Sequence, residues 1–166
     1  RMKLADTNYD NSETGCCARL DVDLWDGREL TWQDKPFIKD HIRSFLHIPL
    51  NFGSVISRDH AAVEGAEAYP EQPIWMTDEV SPWGADIYLA IDRDVPNAEI
   101  VQLSGTFMTK VFEGPYRKIG KFTHEMEQHV AAKGREIQKL YYYYATCPKC
   151  AKRLGENHVV LLAKVA

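Results

Sequence analysis

An α+β fold made of duplicated β-α-β-β units is predicted by three features of the sequence. Residues 106–134 read as a strand that breaks at Gly114-Pro115 and passes into an amphipathic helix. Residues 41–65 repeat that order, and Phe52 and Tyr116, which open the two helical stripes, lie 64 positions apart. Each helix is followed by two β-rich runs, so the units are expected to form one antiparallel sheet. Two helices would then lie on one face, with a ligand groove between the repeats.

Residues 1–40 are read as an N-terminal extension docked on the domain. The first fifteen residues are polar and aperiodic, the pattern of a loosely held tail. Trp25, Trp32 and Phe37 follow, and side chains of that size are expected to pack on the main body. Asp26-Gly27 marks a turn and residues 28–32 a short strand. Gln33-Asp34-Lys35-Pro36 marks a second turn, which would pair this strand with the next as a hairpin.

Residues 41–166 form the domain proper, with repeat one at 41–92 and repeat two at 105–165. In the first repeat, residues 41–51 set Ile42, Leu46 and Ile48 against Arg43, Phe45 and His47. Phe52, Val55, Ile56 and Val63 form the helical stripe, which ends near Gly65. Residues 73–80 and 85–92 are the paired strands, joined by a turn at Ser81-Pro82-Trp83-Gly84. Residues 93–104 link the repeats, with strand character over 98–103.

In the second repeat, Phe107, Thr109 and Val111 alternate with Met108, Lys110 and Phe112. Both sets carry apolar groups, so this strand is expected to be covered twice, by a helix and by something else. Tyr116, Ile119, Phe122, Met126 and Val130 follow at helical spacing, and Gly134 can cap the helix after Lys133. Strands at 139–146 and 158–165 complete the repeat around an insertion at 147–157.

The 166-residue chain is 45% hydrophobic and 27% charged, with a formal charge of −4, and carries no basic stripe. Arg117, Lys118 and Lys121 are followed by Glu125 and Glu127, a solvated helix face and not a nucleic-acid surface. No apolar run approaches the ~18 residues needed to cross a membrane. No apolar region follows Arg1-Met2-Lys3, so a cytoplasmic location is expected, where thiols stay free or bind metal. The sequence is compatible with a monomer or a homodimer.

Gly105, the following strand, and the Phe112-Glu113-Gly114-Pro115-Tyr116 corner resemble the GyrI-like small-molecule-binding domains, the effector-binding fold of multidrug-sensing activators. The resemblance runs from about residue 41 to residue 165. It implies a groove that takes flat, aromatic, hydrophobic or cationic molecules, and hydrolysis of reactive electrophiles in some stand-alone members. The family often has Glu-x-Tyr-x-Pro on the strand after the second helix. This chain has Leu140 followed by Tyr141-Tyr142-Tyr143-Tyr144, without the acidic residue.

On the strand faces away from the helices, Phe45, Trp75, Tyr88 and Phe107 are the candidate ligand-binding aromatics. One alternating pair of the tyrosine run joins them, either Tyr141/Tyr143 or Tyr142/Tyr144; Tyr142 and Tyr144 are taken as the candidates. Well-made strands also use tyrosine for ordinary half-buried packing. Glu79, four residues after Trp75, is the candidate general acid, since a carboxyl among aromatic groups keeps its proton. His47 is a second candidate base; the plainer readings are a solvated Glu79 and a structural, hydrogen-bonded His47. Ser-His-Asp, phosphate-loop and HExxH patterns are absent from the sequence.

Cys147-Pro148-Lys149-Cys150 has the spacing of a zinc knuckle, and Cys16-Cys17 supplies two more thiols. A structural four-thiolate zinc site is expected from this set, with His158 able to replace a thiol that does not reach. A redox pair, a disulfide or plain reduced thiols are the alternatives.

Overall fold

The computed structural model describes residues 20–45, 48–49, 52–71, 73–81, 83–146, 155 and 157–166. In chain order the elements are α1 (Val22–Trp25), β1 (Glu29–Phe45), β2 (Ile48–Pro49), α2 (Phe52–Gly65), β3 (Trp75–Ser81) and β4 (Gly84–Ala90). There follow β5 (Glu99–Glu113), a 3₁₀ turn (Tyr116–Lys118), α3 (Ile119–Ala132), β6 (Ile137–Tyr144) and β7 (His158–Val165). The fold is α+β with antiparallel strands, and it divides into two compact units. Residues 33–104 make the first; residues 105–166 with the segment ending at Trp32 make the second.

In the first unit β1 pairs with β4 from Phe37↔Ala90 to Arg43↔Gly84, and β4 pairs with β3 from Trp75↔Leu89 to Asp78↔Asp86. Directly opposed residues share a face. Ile38, Ile42, Ile87 and Leu89 therefore meet Val55 and Val63 of α2 in one core; Ile42, Val55 and Val63 lie where the alternation and the helical stripe put them, and Ile38 extends that face beyond the strand start expected at residue 41.

Two expectations are corrected here. The turn at residues 33–36 does not form, and β1 runs straight through it for 17 residues. Asp34 takes a positive φ of 51°, and its amide is bound by Ser104 Oγ at 2.8 Å; the polar residues thus kink a strand without ending it. On β3 the facing is shifted by one residue. Trp75 packs against the helix-side core, while Met76 lies opposite with Tyr88. Beyond Asp78 the register slips, which breaks the alternation that would put Glu79 on the face of Trp75.

The face away from α2 is not an open aromatic wall either. Phe37, Met76 and Tyr88 are all buried, and Phe37 meets Tyr88 edge-on at 6.3 Å.

The second unit orders its strands β5–β7–β6, with β7 central from Thr106↔Val165 and Ile137↔Val165 onward. Phe122, Met126 and Val130 of α3 pack on Met108, Phe112, Val159, Leu161 and Ala163. Arg135 N–H reaches Val130 O at 3.2 Å and Gly134 N–H reaches Ala131 O at 2.9 Å. This closure needs the left-handed φ of 70° that Gly134 supplies.

The opposite face of this unit is covered, as the doubly apolar strand predicts. Trp32 lies 4.5 Å from Phe107, and Trp25 meets Tyr143 at 6.0 Å. Asp26 Oδ1 accepts from Val111 N–H at 3.0 Å, and Thr109 Oγ1 donates to Trp25 O.

Phe107 is 0% exposed between Trp32 and Tyr141, whereas Leu24 is 49% exposed. Phe107→Ala is expected to cost about 3–5 kcal/mol of unfolding free energy. Leu24→Ala should stay within about 0.5 kcal/mol. Urea denaturation followed by tryptophan fluorescence checks both.

Candidate functional site

The site begins with two acidic residues at positions where the pattern calls for apolar ones. Asp40 stands between Ile38 and Ile42 on β1, opposite Ile87, so it faces α2. On α2, Asp59 falls in the stripe formed by Val55 and Val63 and is only 7% exposed. Each carboxyl shifts the proton affinity of the other. Arg58, one residue before Asp59, reaches back so that its Nη2 lies 2.5 Å from Asp40 Oδ2 and its Nε 4.0 Å from Asp59 Oδ1.

These contacts push the two acids in opposite directions. Burial would raise Asp40, but hydrogen bonds from Asp59, Arg58 and the His41 amide, with the Arg58 charge, hold it below the usual carboxylate value. Burial, then the hydrogen bond and charge of Asp40, push Asp59 from 3.8 up to about 7 against the pull of Arg58. Asp59 Oδ2 is buried and has no hydrogen-bond partner.

Asp40, Arg58 and Asp59 line an open pocket of about 690 Å³, all of it within the first unit. That volume suits a small organic molecule. Lys39, Asp86 and Glu99 add charge to its wall, His41 adds an imidazole, and Ile38 and Ala62 give it apolar surface. His41 Nδ1 lies 3.1 Å from Asp86 Oδ1. A carboxylate only accepts, so Nδ1 carries the proton of the neutral ring and Nε2 is left as an acceptor. The ring rests against Gly84, where a Cβ would come within 2.6 Å of its Cε1 and Nε2.

The residues selected from sequence lie elsewhere. Trp75 is half-buried on the helix-side core, Tyr88 is buried with Lys39 Nζ 6.0 Å from its ring centroid, and Glu79 is exposed on β3. Phe107 is enclosed in the second unit. Tyr142 and Tyr144 are on the α3 side: the Tyr142 hydroxyl lies 2.8 Å from Thr123 Oγ1, and Tyr144 meets Tyr116 at 5.5 Å. Tyr141 and Tyr143 are the pair facing away from α3, because Leu161 and Val159 of the α3 core oppose the other two. His47 and the four thiols, Cys16, Cys17, Cys147 and Cys150, lie outside the described residues, as does the Phe45 side chain. Among the described residues no group of three or more His, Cys, Asp or Glu could hold a metal ion.

The sequence matches the bacterial hydrolase family over residues 7–165. The chain belongs to that family. A hydrolase from Listeria innocua superposes on this bacterial hydrolase family member with a TM-score of 0.62 at 10% identity, covering 86% of this chain and 92% of that one. The EcmrR C-terminal domain gives a TM-score of 0.61 at 12% identity, over 86% and 98% of the two chains. SAV2435 bound to tetraphenylphosphonium gives 0.51 at 9% identity, over 85% and 94%. At such identities the likeness is one of fold, and it bears out the GyrI-like resemblance. No curated protein matches the family member's sequence.

The opposed acids set a pH dependence. Folded protein keeps a proton on Asp59 up to about pH 7 that the unfolded chain releases near 3.8, so this group's stabilisation falls across that interval. Asp40, whose value is depressed, acts the other way and only in more acidic solution. Wild-type stability from pH 4 to 7 should decline relative to Asp59→Asn, with a slope approaching the one-proton limit of about 1.4 kcal/mol per pH unit. Denaturant titrations of both proteins at several pH values measure this; parallel curves would contradict it.

Proposed function

We propose that this bacterial hydrolase family member binds a small aromatic or cationic organic molecule in the pocket of its first unit and hydrolyses it, with His41 as the base that activates water. The observation that carries this reading is the His41–Asp86 pair on the wall of an open pocket of about 690 Å³. Asp86 fixes the ring so that Nε2 can take a proton from water, the arrangement general-base catalysis requires. Lys39 and Arg58 pair with Asp86 and Asp40 on the lining, and the remaining Glu99 favours a ligand without negative charge. SAV2435, which shares the fold, is seen with tetraphenylphosphonium, a cationic aromatic molecule, and this supports the ligand class.

A binder without turnover is the second reading, favoured by that same neighbour. Glu79 and His47 remain proposed acid and base on the sequence argument alone. A four-thiolate zinc site at Cys16, Cys17, Cys147 and Cys150 also remains a proposal, for elemental analysis to decide.

Tetraphenylphosphonium binding is to be followed by tryptophan fluorescence, and water addition by screening aromatic esters and epoxides. For any substrate found, His41→Gln should lower turnover about 100-fold or more while leaving binding in place. Glu79→Gln is the companion variant. Turnover unchanged in His41→Gln would remove His41 from the reaction; binding with no turnover of any screened compound would favour the second reading.

A further inference from the structure

We propose that Asp40 and Asp59 form a catalytic carboxyl pair in this pocket, in which Asp59 gives its proton to the leaving oxygen of the substrate and the Asp40 carboxylate takes a proton from water. The inference rests on the reading of the first-unit pocket as the working site, and it places an acid and a carboxylate together on the α2 side of the sheet.

Four observations meet at these residues. The carboxyls come from two different elements, and the Arg58 guanidinium lies 2.5 Å from Asp40 Oδ2 and 4.0 Å from Asp59 Oδ1. Both line the pocket, so a bound molecule can reach them. Asp59 is only 7% exposed, and its buried Oδ2 has no hydrogen-bond partner, a state that buried carboxyl oxygens rarely keep. Arg58 Nη2, 2.5 Å from Asp40 Oδ2, fixes the negative charge on Asp40 and leaves the proton to Asp59.

Structural economy alone does not account for the pair. An acid placed in the apolar stripe of a helix costs stability, and an apolar side chain at position 59 would pack against Val55 and Val63 without that cost.

The titratable and charged groups that line the pocket with Asp59 are Asp40, Lys39 and His41 from β1, Arg58 from its own helix, Asp86 from β4 and Glu99 from β5. Of these, Arg58 opposes and Asp40 favours retention of the Asp59 proton, and burial adds to Asp40.

Water gives one proton to the Asp40 carboxylate, and the water oxygen forms the new bond to the electrophilic carbon. The bond from that carbon to the leaving oxygen breaks, and the electron pair goes to the oxygen, which takes the proton of Asp59. The proton on Asp40 then passes to the Asp59 carboxylate, and no oxidant or reductant is consumed.

A reagent that needs both members of such a pair tests this without any known substrate. With 1,2-epoxy-3-(4-nitrophenoxy)propane, the Asp40 carboxylate attacks the terminal ring carbon. The ring carbon–oxygen bond breaks, its electron pair goes to oxygen, and that oxygen takes the Asp59 proton, leaving a hydroxyalkyl ester. Isolated surface carboxylates have no such donor beside them.

Mass spectrometry of the intact chain and its peptides should show one adduct, on the peptide carrying Asp40. Its rate should fall about tenfold between about pH 6 and pH 8, and at least tenfold in the near-isosteric Asp59→Asn at pH 6. Asp40→Asn removes the nucleophile and should abolish that adduct. If Asp59→Asn fails to fold, the wild-type pH profile and Asp40→Asn decide the matter.

Adducts spread at similar rates over exposed Asp and Glu, or wild-type labelling in Asp59→Asn, would overturn the pair. Selective labelling together with full turnover in His41→Gln would sink the assigned base and leave the pair standing.

Discussion

One carboxylate turned inward, Asp40, is the constraint on which the candidate site depends. It sits in the register of Ile38 and Ile42, so strand geometry delivers a negative charge to the surface that α2 covers. Burying that charge unpaired would cost several kcal/mol. The helix answers it with two consecutive residues, Arg58 reaching from the outside and Asp59 from the inside. The result is a pair of acids in unlike states at the edge of a pocket, which is the electrostatic requirement for moving protons at neutral pH.

The surrounding fold makes that arrangement stiff. Val55 and Val63 lock α2 onto β1 and β4, so the approach of Asp59 to Asp40 is fixed by core packing and not by a mobile loop. Asp86, two residues from the start of β4, holds His41 on the neighbouring strand, and the bare backbone of Gly84 gives the ring its room. In the second unit the aromatic residues serve packing. Trp25 and Trp32 close one face, and α3 closes the other. Chemistry and packing are therefore divided between residues that a composition-based reading tends to merge.

The element order was legible because helical stripes and strand alternation are strong local signals. Phe122, Met126 and Val130 pack where their spacing puts them, and Gly134 ends α3 as a C-terminal glycine should. Turn chemistry was less reliable: Gln33-Asp34-Lys35-Pro36 is a good turn sequence, yet Ser104 gives Asp34 a partner within a continuous strand. Face assignments failed where a single residue sets the phase, as at Trp75 and Met76, and in the tyrosine run, whose two faces are chemically identical.

The candidate site was missed for the opposite reason. Aromatic runs are the louder pattern, whereas the site is marked by an acid breaking each of two apolar patterns: Ile38-x-Asp40-x-Ile42, and Asp59 between Val55 and Val63. Only the three-dimensional pairing shows that these two breaks belong together. His41 was visible as a strand residue, but its partner Asp86 lies 45 positions away.

The central claim is that Asp40 and Asp59 hold unlike protonation states in the folded protein. The most direct measurement is a carbon-13 NMR titration of the aspartate side-chain carboxyls, assigned with Asp59→Asn. One carboxyl, that of Asp59, should titrate with a midpoint near 7, while that of Asp40 stays ionised to below the ordinary value. Two carboxyls titrating together near 3.8 would contradict the account.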